Sequence, residues 1–298
     1  MVEIPLATLS LVKTLVIGAT GLVGAHVARS LAGLGPVTTT GFSRSASGAL
    51  PLDIRDAAAV QRVVDDARPD VVVCAAAEPH VDRCEREPAE TRTINVDGVR
   101  HVATATAAAG ATLVYFSSDY VFDGRLGDYR EDSPVSPINE YGRQKVEAEA
   151  IVRAVPRWLV LRVSGVFGVD DRRKNFVYQV VDRLRAGQPV TAADDQTLCP
   201  TWAPALADAL AALLRAGFTG LCNVVGPEPT VRADFARRIA GAFGLDAAAV
   251  HAVPSSELPS AAPRPARSSL SDGLLRSIVG HGLPPLDEAL AQMRNSGI

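Results

Sequence analysis

Residues 12–34, VKTLVIGATGLVGAHVARSLAGL, restrict the fold more than any other part of this chain. An apolar run over 12–17 passes straight into glycines and then into an amphipathic pattern, which describes a buried strand, a tight turn and a helix. Gly18, Gly21 and Gly24, with Thr20, Leu22 and Val23 between them, fall where a dinucleotide pyrophosphate would meet a helix N-terminus. Bare backbone there lets phosphate oxygens approach the N–H groups and the positive end of the helix dipole. The spacing is GxxGxxG rather than GxGxxG, and a purely structural turn is the competing reading. Its position after the first strand of an alternating chain favours the cofactor.

The second strand, over 36–42, ends in SRSAS. A dinucleotide fold that takes NAD(H) places an acidic residue near this strand end, whereas arginine suits a 2′-phosphate. No Asp or Glu occurs between the glycine turn and Asp53, while Ser43, Arg44 and Ser45 offer a cation and two hydroxyls, so NADP(H) is the expected cofactor. The alternative for Arg44 is a solvated loop charge. Asp53 and Ile54 precede a helix, where the carboxylate could meet an adenine amino group and Ile54 the ring; Asp53 could equally signal the helix N-terminus. Ala75, Ala76 and Ala77 close the strand PDVVVCAAA with small side chains, against which a cofactor or simply a neighbouring segment can pack. Asn95 sits in a helix of apolar and small residues, where its amide needs partners; the plain reading is a bond to a neighbouring loop.

The stretch Ser117 to Lys145 carries the chemistry. Tyr141 and Lys145 are four apart in the helical segment NEYGRQKVEAEAIV, so both emerge on one face a turn apart. A nearby ammonium favours phenolate and draws a phenol of pKa about 10 towards the range of a general acid or base. Ser118, at the end of TLVYFS, can orient a carbonyl beside that phenol. A Tyr four before a Lys is common by chance, and its weight comes from the dinucleotide pattern upstream.

Composition removes other classes. With 298 residues, 47% of them hydrophobic, the chain can bury a large core with a smaller lobe beside it. A net charge of -3 without a basic block argues against nucleic-acid or membrane-surface binding. The opening has no long uninterrupted apolar region, so neither a signal peptide nor a membrane span is expected. Cys74, Cys84, Cys199 and Cys222 show no CxxC spacing and read as reduced thiols in a cytoplasmic protein; no metal site is expected. The assembly is left open, a homodimer being the commonest.

GATGLVG, LDIRD, CAAAE, INVDG, SSDYVFDG and YGRQK, in this order, resemble the extended short-chain dehydrogenase/reductase superfamily. Within it, SSDYVFDG followed by YREDSPVSPINEYGRQK is similar to the dTDP-4-dehydrorhamnose reductase family and to its relative, the regulatory β subunit of methionine adenosyltransferase. The resemblance spans nearly the whole chain and is tightest over the first two thirds. It implies Ser118, rather than Ser117, as the catalytic hydroxyl, Tyr141 as proton donor to a sugar ketone, Lys145 as partner of Tyr141 and the nicotinamide ribose, and Asn95 as a support of the active site. DDQTLCPT and RPARSSL resemble family segments near the substrate, placing Asp195, Gln196, Pro200, Thr201, Arg264 and Ser268 around the sugar lobe. The implied substrate-binding set is Ser118, Asp119, Tyr120, Val121, Asn175, Gln196, Arg264 and Ser268, for a nucleotide-diphosphate sugar. Arg264, flanked by prolines, could clamp a diphosphate or stand as a solvated loop residue. Arg267 and Leu198 replace the family's Asn and Gly, differences that bear on the sugar rather than on the reduction.

The expected fold is α/β: a Rossmann-type doubly wound parallel sheet over 1–165, and over 166–298 mainly a smaller C-terminal substrate lobe, some of its segments returning to the first domain. The expected activity is NADPH-dependent reduction of a nucleotide-activated 4-keto-6-deoxy sugar. A 4,6-dehydratase is disfavoured, since that family follows its catalytic hydroxyl with Asp-Glu and here Asp119 is followed by Tyr120. An epimerase needs the same residues as the reductase. A non-catalytic NADP-binding regulatory subunit also keeps them.

Overall fold

Strands with no polar alternation, such as TLVI and VVVC, are stable only when both faces are covered, and the computed structural model covers them with helices. It describes residues 11–42 and 48–297. β1 (Thr14–Ile17), α1 (Leu22–Leu31), β2 (Val37–Gly41), β3 (Leu50–Pro51), α2 (Ala57–Ala67) and β4 (Val71–Cys74) open the fold. Two short helices, α3 (Val81–Arg86) and α4 (Pro88–Arg92), lead through a π-helical turn (Thr93–Gly98) into α5 (Val99–Ala108). β5 (Thr112–Ser118), α6 (Glu140–Arg153) and β6 (Trp158–Val163) follow. The remainder comprises β7 (Val166–Phe167), α7 (Phe176–Arg185), β8 (Val190–Ala193), β9 (Thr197–Leu198), β10 (Thr201–Trp202), α8 (Ala203–Arg215) and β11 (Gly220–Asn223). It closes with β12 (Thr230–Val231), α9 (Arg232–Ala242), β13 (Val250–Val253), α10 (Gly273–Val279) and α11 (Leu286–Asn295).

Among the described residues the central sheet has seven strands, ordered β3-β2-β1-β4-β5-β6-β11, every neighbouring pair parallel. This is the doubly wound order with one strand added beyond β6, as the α/β expectation requires. Strand alternation divides the core: Leu15, Ile17, Val72 and Leu113 face α2, α5 and α6, while Val16, Val73 and Val114 face α1 and α8. GLCNVVG supplies β11 and so belongs to the central sheet, and α8 packs on α1. A separate core of Phe167, Trp202, Phe235, Leu290 and Met293 joins α7, α9 and α11 with the β8–β13 pair. No helix among the described residues is long and apolar enough to cross a membrane.

The order reverses between β1 and β4, and the first turn lies in that crevice. Gly18 has φ +87°, and an added Cβ would stand 2.7 Å from the Ala76 nitrogen. Gly24 brings α1 onto the turn, since a Cβ there would lie 2.3 Å from the Gly18 carbonyl oxygen. Neither neighbour is a side chain that could swing away. Gly24→Ala is therefore expected to lower stability by about 1–3 kcal/mol, read as a lower urea midpoint at unchanged slope. A midpoint equal to wild type would mean that the helix does not press on the turn.

Candidate active site

β5 ends at Ser118 on the carboxyl edge of the sheet. Alternation sends Tyr115 and Ser117 towards α6: Ser117 Oγ donates to Glu149 Oε1 at 2.6 Å, and Tyr115 Oη accepts from Lys145 Nζ at 3.0 Å. Ser118 instead enters a cleft of about 250 Å³ with Tyr141 and Tyr120. Its Oγ donates to Asp119 Oδ1 at 3.0 Å and accepts the Tyr120 N–H at 3.2 Å. Asn139 caps α6 by accepting the Gly142 N–H at 2.8 Å, which leaves Tyr141 in the first turn. Gly142 lets that turn press on the Asp119–Val121 segment, for a Cβ there would be 2.1 Å from the Tyr120 carbonyl oxygen. The Tyr120 and Tyr141 rings then meet edge to face, 6.0 Å between centroids.

Lys145 is buried one turn further along, donating to the Phe116 carbonyl at 2.8 Å as well as to Tyr115, with its nitrogen 5.6 Å from the Tyr141 ring centroid. The expectation that Lys145 draws the Tyr141 phenol downwards needs correction. Burial first, and the charge of Asp119 next, push that phenol up, with the nearby Ser118 hydroxyl acting against them. Burial pushes Lys145 down to about 8. At neutral pH Tyr141 is thus a protonated phenol, suited to giving a proton.

Asp119 is buried, and its carboxylate accepts from Ser118, from Ser164 at 2.8 Å and from Ser268 at 2.5 Å. Burial raises its pKa and the three seryl hydroxyls work against the rise. Asn95, in the π-helical turn, accepts the Glu78 N–H at 2.9 Å and donates to the Glu78 carbonyl at 3.1 Å and to Gln144 Oε1 at 2.8 Å. It therefore ties the loop after β4 to α6, next to Lys145, without touching Ser118 or Tyr141. A second buried tie joins α6 to β6: Arg162 donates to both Glu149 oxygens at 2.9 and 2.8 Å.

Several substrate expectations change in the folded chain. Gln196 lines the cleft. Val121 does not; it is buried among Phe122, Tyr129, Cys199 and Leu270. Asp119 and Ser268 are bonded to each other, so their polar atoms hold the site together. Arg264 is no free clamp, because Asp82 on α3 takes its guanidinium through two bonds of 3.1 and 2.9 Å. Asn175 precedes α7 and donates to the Gly168 carbonyl at 2.8 Å. Asp195 accepts from Ser255 at the surface, and buried Thr201 accepts the Gly226 N–H. Sequence reasoning missed Arg232, which enters the cleft from the start of α9 with its guanidinium 4.1 Å from the Phe176 ring centroid and no carboxylate partner among the described residues. VRADFARR reads as an ordinary amphipathic helix start, so no sequence signal marked it. Leu198 also lines the cleft, over Gly165, where a Cβ would stand 2.3 Å from its Cδ1.

A larger groove, about 750 Å³, runs along Thr20, Gly21 and Leu22 at the N-terminus of α1. Gly21 is the N-cap and no side chain caps the helix, so its first amides lack an intrahelical partner and can meet an anion. Val23, the second helical residue, is partly buried against the core, and Ala75 and Ala76 close the crevice beside Gly18. Ser43, Arg44 and Ser45 lie outside the described residues. Asp53 is neither the helix cap, which is Asp56, nor free: its oxygens accept Arg55 Nε and Nη2 at 3.0 and 2.7 Å. Ile54 is buried against Gly98 rather than open to a ring.

The Arg162–Glu149 pair sets where α6 sits on the sheet. Arg162→Leu, which leaves a buried carboxylate short of its main partner, is expected to cost roughly 3–5 kcal/mol in guanidinium unfolding. A loss below about 1 kcal/mol, the range of exposed pairs, would demote the contact to a surface-like bridge.

Comparison with known proteins places this geometry. The family described as RmlD substrate binding domain matches residues 12–297. A dTDP-4-dehydrorhamnose reductase of Burkholderia thailandensis is 35% identical over 290 residues, covering 91% of this chain and 94% of that protein. Methionine adenosyltransferase 2 subunit beta of Xenopus tropicalis is 31% identical over 283 residues, covering 91% and 84%. The crystal structure of a dTDP-4-dehydrorhamnose reductase from Bacillus anthracis in complex with NADP superposes with a TM-score of 0.87 at 27% identity, covering 96% of this chain and all of that one. Matched along almost its whole length, with a doubly wound sheet whose carboxyl edge opens on a cleft lined by Ser118 and Tyr141, this chain belongs to the RmlD substrate binding domain family.

Proposed function

We propose that this chain is an NADPH-dependent reductase of a nucleotide-activated 4-keto-6-deoxy sugar, the activity in the names of its dTDP-4-dehydrorhamnose reductase relatives. The observation that carries the reading is the meeting of Ser118 and Tyr141 in one cleft, above the buried Lys145, at the carboxyl edge of a sheet whose first turn fits a dinucleotide. The fit is physical. Gly18 and Gly21 carry no side chain of their own over the uncapped amides of α1, and the Arg172 guanidinium stands 3.6 Å from where a Gly21 Cβ would be. NADPH bound there supplies the hydride.

The side chains supply the rest. Tyr141 gives its proton to the ketone oxygen as the carbonyl carbon becomes tetrahedral, and Ser118 holds that oxygen beside the phenol. The phenolate left behind faces a positive charge at roughly 6 Å, worth about 3 kcal/mol at an effective dielectric of about 20, or about two pKa units. That attraction offsets part of the burial that keeps the phenol protonated beforehand. Asp119 fixes the Ser118 rotamer from behind. Arg232, a cation with no carboxylate partner among the described residues, is the group we assign to the nucleotide diphosphate in place of Arg264. Four buried, free cysteines fit a reducing cytoplasm.

The reading is tested by NADPH absorbance on adding a dTDP-4-keto-6-deoxyhexose made in place from dTDP-glucose by a dehydratase. Oxidation is expected, and Tyr141→Phe should slow it by about 10²–10⁴-fold with NADPH affinity little changed. Turnover near the wild-type rate would take the acid role from Tyr141. The relative from Xenopus tropicalis favours a second reading, a regulatory subunit; NADPH binding with no turnover, together with a stable complex with a synthetase, would select it. Arg44→Ala should weaken NADPH far more than NADH, and equal losses would remove the 2′-phosphate contact from Arg44.

A further inference from the structure

Lys145 is a buried ammonium with no carboxylate partner among the described residues. Glu149, one turn along α6, is the acidic group that acts on it, yet its oxygens are held by Arg162, Arg153 and Ser117. The other ionisable groups around the ammonium are the thiols of Cys74 on β4 and Cys84 on α3, Tyr115 on β5 and Tyr141 on its own helix. Burial pushes both thiols up, so they are neutral at pH 7 and bring no countercharge. What keeps the ammonium charged is therefore two dipoles, the Phe116 carbonyl at 2.8 Å and the Tyr115 phenol oxygen at 3.0 Å. Any residue at 116 would supply the first. The second depends on one side chain, buried in a run where its neighbours Leu113, Val114 and Phe116 are apolar.

We propose that Tyr115 is a positioning residue of the reductase site: its phenol oxygen holds the Lys145 ammonium charged and in place, leaving the remaining N–H for the reacting side. In turnover the idea rests on the reductase reading; in the titration of Lys145 it does not. Tyr115→Phe keeps the ring and its packing and removes only the oxygen. One lost hydrogen bond to a charged group corresponds to about one pH unit in the midpoint of that group.

The chain has three lysines, Lys13, Lys145 and Lys174, so protein labelled with [ε-¹³C]lysine gives three resonances, and the one missing from Lys145→Met belongs to Lys145. Titrating it reads the charge directly, without substrate. In wild type the midpoint is expected at about 8. In Tyr115→Phe it is expected about one unit lower, with the alkaline limb of NADPH oxidation and the rise in KM for NADPH moving by the same amount. An unmoved Lys145 midpoint in Tyr115→Phe overturns the proposal, even if the melting temperature falls, since that would be packing alone. So would a shifted midpoint with an unshifted pH dependence of NADPH binding. If the wild type turns over no keto sugar, the reductase reading fails, and the midpoint and the NADPH-binding profile still decide the role of Tyr115.

Discussion

The site depends on one carboxylate. Asp119 is buried, makes no ion pair among the described residues, and takes hydroxyl protons from three segments: its neighbour Ser118, Ser164 beyond β6, and Ser268 in the C-terminal loop. A buried carboxylate costs several kcal/mol in lost hydration, and a hydrogen bond to a charged group returns roughly 1.5–3 kcal/mol. Three such bonds are of the same order as the cost. The carboxylate is therefore tolerated only while all three segments are docked, and docking them closes the cleft around Ser118. Ser268, which also lines the cleft, contributes to it through this linkage.

The same economy governs α6. Its inward face carries Gln144, Lys145 and Glu149, all buried, beside the apolar Ala148 and Val152. Each polar residue finds its partner on a different element: Asn95 in the π-helical turn, Tyr115 and Phe116 on β5, Arg162 on β6. Apolar burial is non-directional and puts the helix against the sheet; the hydrogen bonds set where along the sheet it stops. Tyr141, in the first turn, inherits that position. Holding a reacting group within a fraction of an ångström takes this kind of fixed support.

Much of the fold was legible because its signals are local. A strand, a bare turn and an amphipathic helix are neighbours in sequence, and so are the four-residue spacing of Tyr141 and Lys145 and the step from Ser117 to Ser118. Strand alternation separates those two serines, sending Ser117 to Glu149 and leaving Ser118 in the cleft. Side chains whose role depends on a distant partner were not legible. Arg264 reads as a diphosphate clamp until Asp82, 182 residues earlier in the chain, is seen to hold it. Arg232 reads as one more surface charge until α9 turns its first residue into the cleft. Val121 sits in the motif that carries Ser118 and is nonetheless core.

By itself, the sequence determined the α/β class and the dinucleotide turn, since each follows from steric and hydrogen-bonding rules acting over a few residues, and it put Tyr141 and Lys145 on one helix face; that Ser118, Tyr141 and Lys145 act together came from the family resemblance. Only the tertiary structure decided which groups are free to act. Whether a charge faces solvent, a substrate or an opposite charge depends on what packs against it. Burial decided it for Tyr141 and Lys145, raising one pKa and lowering the other. Pairing with Asp82 decided it for Arg264, and for Arg232 the lack of a carboxylate partner among the described residues.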